Sequence, residues 1–298
     1  MKILVACDGS QESRNAISLA KELPILDKKI GLISVNRDLI SETFTDHTHQ
    51  EKALKFNTEN RQNCEQVLSE AQNFASSDGQ DATTHLVTGY PTEEICKFAD
   101  LSETDIIAMG HRGLNPVKRF FMGSVSDGVL RHSRTPVLLA GSKYENGETF
   151  SFKKPINILI GYDGSHSSER AFCFLKKFDL SGIKQIDIMS VIEIDYYFGM
   201  SSHMAERDIY PVRKAALAKQ HDRLKSELKS LNPDIQVNSQ ILMDCQDVAG
   251  QFDQFSTANN IDLIIVGNKG LSPIDRLLLG SVSSRLAHQV KCPLLIVR

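Results

Sequence analysis

Gly110-His111-Arg112-Gly113-Leu114-Asn115-Pro116, with nine residues between Gly113 and a following Gly123-Ser124-Val125-Ser126, is written twice in this chain of 298 residues. It returns as Gly267-Asn268-Lys269-Gly270-Leu271-Ser272-Pro273 and Gly280-Ser281-Val282-Ser283, 157 positions further on. Other segments repeat with it. Ile3-Leu4-Val5-Ala6-Cys7-Asp8-Gly9-Ser10 reappears as Ile158-Leu159-Ile160-Gly161-Tyr162-Asp163-Gly164-Ser165, which sets Asp8 and Asp163 155 positions apart. Thr135-Pro136-Val137-Leu138-Leu139 matches Cys292-Pro293-Leu294-Leu295-Ile296. A nearly constant offset of this size marks a duplicated domain rather than a short solenoid repeat, and the length suits two domains of ordinary size. The expected division is residues 1–141, a polar, glycine-bearing linker over 142–154, and residues 155–298.

Within each copy, short apolar runs alternate with helical stretches. Residues 3–6, 30–35, 84–87, 105–109 and 137–140 predict strands in the first copy; 156–160, 185–191, 236–242, 262–266 and 294–297 predict them in the second. Continuous runs of this kind are strands covered on both faces. Helices are predicted over 13–23, where apolar residues recur at helical spacing, and over the long polar-rich stretches 51–75 and 205–231. Strands alternating with helices imply parallel sheets with right-handed crossovers. The expected fold class is α/β: two doubly wound, five-stranded parallel-sheet domains of Rossmann-like type. Such sheets bind ligands outside the carboxyl ends of their strands, where strand order reverses. Asp8 and Asp163 end first strands and Gly110 and Gly267 end fourth strands, so the repeated motifs fall at that edge.

The chemistry of the motif is anion binding. Glycine lets backbone N–H groups approach a ligand closely. Gly123-Ser124 stands directly before the helical stretch 125–132, so Ser124 is expected to cap that helix. Free N–H groups and the positive end of the helix dipole would then receive phosphate, with the Ser124 and Ser126 hydroxyls as further donors. Arg112, Lys118 and Arg119 in the first copy, and Lys269 and Arg276 beside Asp275 in the second, are cations suited to a di- or triphosphate.

This G-x2-G-x9-G-S pattern, present twice with a matching first-strand Asp each time, resembles the nucleotide-binding signature of the universal stress protein family in its tandem form, over nearly the whole chain. The resemblance implies domains like those of the adenine nucleotide alpha hydrolases, arranged as a pseudo-dimer. It implies ATP or another adenine nucleotide, with or without magnesium, in a cleft above each sheet. Asp8 and Asp163, with Ala6, Cys7, Gly161 and Tyr162 beside them, would meet adenine or ribose. Val35 and Val191 would touch adenine, and Met109 and Val266 would line the same pockets. Ribose and phosphates would be held by Gly110, Arg112, Gly113, Gly123, Ser124, Val125 and Ser126, and in the second copy by Gly267, Lys269, Gly270, Gly280, Ser281, Val282 and Ser283. The family also pairs through its last strands, here 135–140 and 292–297, leaving a further homodimer open. One turn departs from the pattern. Gly89-Tyr90-Pro91 follows the family's Gly-x-Pro, whereas Asp244-Cys245-Gln246-Asp247 brings two carboxylates that repel phosphate. The first copy is therefore expected to bind at least as well as the second.

Composition narrows the remaining classes. Hydrophobic residues make up 41% and charged residues 24%, ordinary for a globular protein. A net charge of -3 offers no bulk attraction to nucleic acid or to an anionic membrane. The apolar runs fall far below the ~20 residues of a membrane helix. Met1-Lys2 leads into an apolar stretch too short for a signal-peptide core, and the six cysteines form no C-x-x-C pair. A cytoplasmic protein with reduced thiols, without nucleic-acid or membrane partners, is expected. The H-x-G-H, S-G-G-x-D-S, G-x4-G-K-[ST] and G-x-G-x-x-G motifs are absent. That favours a nucleotide-binding stress-response or regulatory module without catalytic residues over an adenylyltransferase or ATP pyrophosphatase. A slow ATPase, or a scaffold whose clefts are empty or hold another small molecule, is the alternative. Cys7 is expected as a buried strand-end residue and His111 as an exposed loop residue; Asp8 and Asp163 are also candidates to cap the next helices. Asp46-His47-Thr48-His49 reads as a solvated loop rather than a metal site, and Met200, His203 and Met204 lie in a connection without a ligand role.

Overall fold

The computed structural model describes residues 1–37, 47–79, 81–111, 122–141, 151–152, 154–192, 210–243, 247–270, 279–289 and 291–298, with the side chains of 47, 48 and 78 excepted. Strands form where the apolar runs predict them, six of them one to three residues longer. The first half contains β1 (Lys2–Ala6), α1 (Gln11–Glu22), β2 (Lys29–Asn36), α2 (His47–Ala75), β3 (Ala82–Thr88), α3 (Pro91–Leu101), β4 (Ile106–Gly110), α4 (Ser124–His132) and β5 (Val137–Ala140). The second contains β6 (Ile156–Gly161), α5 (His166–Leu175), β7 (Ile183–Ile192), α6 (Tyr210–Leu231), β8 (Gln236–Met243), α7 (Val248–Ala258), β9 (Leu263–Gly267), α8 (Ser281–Gln289) and β10 (Leu294–Val297). Two compact units result, one of Met1–Leu23 and Asp27–Ser151, the other of Pro24–Leu26 and Phe152–Arg298.

In the first unit the strand order is β3-β2-β1-β4-β5, with every neighbour parallel and Ala6 beside Ile33 and Val5 beside Ala108 in register. The chain winds from β1 outward to β3, then returns to the other side of β1. The switch point therefore lies between β1 and β4. Helix α1 packs on α2, and α3 on α4. The second unit repeats this as β8-β7-β6-β9-β10, again parallel, with α7 on α8. The central strands are covered on both faces: Ile3, Leu4 and Val5 are at most 2% exposed, and Ile106, Ile107 and Ala108 are fully buried. Each such Ile or Leu contributes about 1.5–3 kcal/mol of transfer free energy. Among the described residues no helix is long and apolar enough to cross a membrane.

The helix starts correct two expectations. Asp8 and Asp163 do not cap; Ser10 and Ser165 do, accepting from the N–H groups of Ser13 and Ser168. The aspartates hold those serines in place. Asp8 Oδ1 accepts from Ser10 N at 3.0 Å and Ser10 Oγ at 2.5 Å, and Asp163 Oδ1 from Ser165 N at 2.9 Å. Residues 47–49, expected in a loop, begin α2, because no Gly or Pro interrupts 47–75.

The long helices carry matching buried rows. Cys64, Leu68, Ala71 and Ala75 on α2 correspond to Leu217, His221, Leu224 and Leu228 on α6, each 153 positions later. His221 thus stands where the first unit has Leu68. Its Nε2 lies 2.7 Å from Ser190 Oγ, and the Ser190 hydroxyl donates to the Tyr162 carbonyl. Ser190 has one proton, so His221 donates from Nε2. Burial, then the nearby Lys225 charge, lowers His221 from 6.5 to about 4. Below pH 6.5 the unfolded chain takes up a proton that the folded chain refuses. Stability is therefore lost as pH falls through that window. Urea unfolding should show His221 removing about 2–3 kcal/mol between pH 7 and pH 4.5, and His221→Leu should flatten that dependence. An equal pH dependence in both proteins would contradict the assignment.

Candidate functional site

At the switch point of the first unit a cavity of about 380 Å³ opens above the strand ends. This is a size typical of small-ligand sites. Its floor is apolar: Ala6 from β1, Ile33 and Val35 from β2, Met109 from β4 and Ile95 from α3. Its rim is polar: Asp8, Ser34, Asn60, Asn63 and the α4 start at Gly123–Ser126. Asn60 fixes one edge by donating to Asn36 Oδ1 at 2.7 Å and to the Arg37 carbonyl at 3.1 Å. Cys7 and Cys64 also face the cavity. Burial, and secondarily the Asp8 charge, pushes the Cys7 thiol up to about 12, so it is not a nucleophile near neutral pH.

The start of α4 is open. Gly123 is its N-cap, and among the described residues no side chain caps the first turn. This differs from the expectation for Ser124, which is the first helical residue and cannot turn its hydroxyl back onto its own helix as an N-cap does. Side chains cap α1, α5 and α7, at Ser10, Ser165 and Asp247, whereas α3, like α4, has no side-chain cap. Gly123 N–H is itself taken by the His111 carbonyl at 3.0 Å, and the first intrahelical bond runs from Asp127 N to the Gly123 carbonyl at 2.9 Å. Among the described residues nothing accepts from the amides of Ser124, Val125 and Ser126, which suits them to a ligand. Ser126 does not add a hydroxyl donor, because its proton goes to the Gly110 carbonyl at 2.8 Å, tying α4 to the end of β4. His111, expected exposed, is 4% exposed, since its backbone supports that turn. An adjoining cavity of about 420 Å³ shares Pro91, Ser124 and Val125 and reaches Arg37 and His132.

The second unit places the corresponding residues differently. Tyr162 is 3% exposed, and its hydroxyl lies 2.7 Å from Glu169 Oε2 and 3.3 Å from Arg223 Nη2. Burial first, and then the bond to Glu169, raise the phenol to about 12. Val266 lies beside Gly161, and Val191 is half-buried in β7. The Ser283 hydroxyl serves the Asn268 carbonyl at 2.9 Å, as Ser126 serves Gly110. Gly280 N–H is held by the Asn268 carbonyl at 2.8 Å, with Ser281 and Val282 opening α8. Ser165 Oγ lies 3.5 Å from the Lys269 carbonyl. Asp247, expected to repel phosphate, caps α7 by accepting from Gly250 N at 3.0 Å.

Of the residues the motif singled out, the fold brings Ala6, Cys7, Asp8, Val35, Met109, Gly110 and Gly123–Ser126 to one cavity. Arg112, Gly113, Lys118, Arg119, Asp275 and Arg276 lie outside the described residues, as do Asp244, Asp46, Met200, His203 and Met204. Sequence reading missed the wall from α2 and α3. Asn60, Asn63, Cys64 and Val67 share one helical face by their spacing. Nothing local shows that this part of α2 overhangs the strand ends.

Comparison with known proteins agrees with the duplication. The model of the universal stress protein family matches residues 1–141 and again 156–298. A universal stress protein of Mycolicibacterium smegmatis is 24% identical over 303 aligned positions, covering 99% of this chain and 96% of that protein. The crystal structure of a universal stress protein from Archaeoglobus fulgidus covers 100% of this chain and 98% of its own, with a TM-score of 0.67 at 21% identity.

Proposed function

Because this chain belongs to the universal stress protein family, we propose that its first unit binds an adenine nucleotide and acts as a ligand-dependent stress-response module rather than as an enzyme. The carrying observation is a cavity whose apolar floor ends at an uncapped helix start. The floor of Ala6, Val35 and Met109 suits a flat apolar base, and Asp8 and Ser34 suit ribose hydroxyls. The Ser124, Val125 and Ser126 amides at the positive end of α4 suit phosphate oxygens. Arg37, on the adjoining hollow, supplies a cation beyond them. Among the described residues no group of three or more His, Cys, Asp or Glu side chains gathers to hold a metal, so magnesium would enter on the phosphates of ATP.

The Cys7 thiol on this wall is held protonated, so it offers no thiolate to a bound nucleotide near neutral pH. Binding would act by favouring one arrangement of the cleft, a population shift worth no more than the difference in affinity between the two. Calorimetric titration of the full chain with ATP, ADP, AMP and adenosine tests the reading. Affinity should rise with phosphate number from adenosine to ATP. A chain that binds none of them, or binds adenosine as well as ATP, contradicts it.

A further inference from the structure

We infer that the second unit's cleft is filled by the chain's own side chains, so that one molecule takes up one nucleotide, in its first unit; the stoichiometry rests on the reading of that unit given above.

The two clefts are built on corresponding positions, and the second carries bulk where the first carries space. Ala6, Cys7 and Ile95 line the first cavity; their counterparts are Gly161, Tyr162 and Phe252. Phe252 is 3% exposed. Its ring lies so close to Gly161 that a Cβ there would come within 2.8 Å of Cζ, and within 3.0 Å of Val266 Cγ1. The ring packs directly on the strand, on the face where Ala6 and Ile95 line the first cavity. On the other face, the Tyr162 phenol stands where Cys7 has a thiol. It is held there by Glu169 and Arg223.

The rim residues correspond as well. Val67, on the first cavity wall, corresponds to Gln220 by the offset that superposes the buried rows of α2 and α6. Gln220 Oε1 sits 2.9 Å from where a Cβ on Gly164 would lie, as Val67 Cγ2 sits 3.0 Å from that position on Gly9, so the longer polar side chain takes the place of Val67. Asp163 Oδ2 lies 3.0 Å from the Cβ position of Gly270, so its carboxylate rests against the glycine loop. The Arg223 cation is satisfied by Glu169 at 2.7 Å and Glu227 at 2.6 Å, and Lys176 by Glu227 at 2.9 Å. Phe252 and Tyr162 thus occupy ground that Ile95 and Cys7 leave open in the first unit, while the Glu169–Arg223 pair stands where the first unit has Arg14 and Glu70, 3.4 Å apart. The second unit keeps the glycine motif as a packing device.

Calorimetric titration of the full-length chain and of Gly123→Val with ATP is the test. The unaltered chain should bind one equivalent, and Gly123→Val none that can be measured. Two equivalents, or one equivalent retained by Gly123→Val, overturns the inference. An unaltered chain that binds no ATP refutes the first-unit reading instead. The filling of the second cleft is then decided without ligand, by thermal unfolding. Phe252→Leu should lower the Tm of the second unit by at least about 3 °C, and Phe252→Ala by more. An unchanged Tm in Phe252→Leu means the ring does not fill the cleft and overturns the inference.

Discussion

Gly123→Val is expected to weaken ATP binding at least about 100-fold while leaving the fold nearly as stable as before. Gly123 has φ -64 and ψ 146, an extended conformation that valine adopts readily. The cost at the N-cap is that of a poor capping residue, about 1 kcal/mol or less. The binding cost is larger because Gly123 lines the cavity directly before the open amides of Ser124–Ser126. A branched side chain there holds phosphate away from donors whose charge-assisted hydrogen bonds contribute about 1.5–3 kcal/mol each. Losing even one or two gives the stated factor. Calorimetry measures the affinity and a thermal melt the fold. Unchanged affinity with unchanged stoichiometry would show that α4 does not receive the anionic tail.

Gly267→Ala should destabilise the second unit by at least about 3 kcal/mol, the upper range for overpacking, lowering its Tm by roughly 10 °C. A Cβ on Gly267 would lie 2.5 Å from the backbone carbon of Ser167, 2.6 Å from its oxygen and 2.7 Å from its Cβ. Backbone cannot swing aside as a flexible side chain can. The first turn of α5 is pinned by Ser165, which accepts from Ser168 N at 3.1 Å, and α5 packs directly on β9. Thermal unfolding followed by circular dichroism measures the loss, and a shift under about 2 °C would mean that α5 can retreat. The first glycine of the second motif is thus required by packing whether or not a ligand is present. A repeated motif therefore does not by itself certify a repeated site.

Much of the fold was legible because parallel strands buried on both faces read as unbroken apolar runs, and all ten such runs are strands. The duplication followed from the spacing of Asp8 and Gly110 to Asp163 and Gly267. Helix starts were harder. Ser124 has the residue type of a cap, yet Gly123 occupies the position, because the Gly123 N–H is drawn to the His111 carbonyl one residue past β4. That carbonyl comes near only through the turn itself. His111 looked like a loop residue and is buried for the same reason. The α2 and α3 walls depend on crossing geometry, which no local spacing encodes. The filling of the second cleft was half visible: Tyr162 and Phe252 are plainly larger than Cys7 and Ile95. Whether they turned toward the cleft or away from it was settled only by their contacts with Glu169, Arg223 and Gly161.

A crystal structure of the full chain grown with saturating ATP addresses the central claim most directly. The account predicts adenine against Val35 and Met109, phosphate oxygens within hydrogen-bond distance of the Ser124, Val125 and Ser126 amides, and Phe252 still seated on Gly161. Density for ATP elsewhere, or a first-unit cleft left empty at saturation, would contradict it.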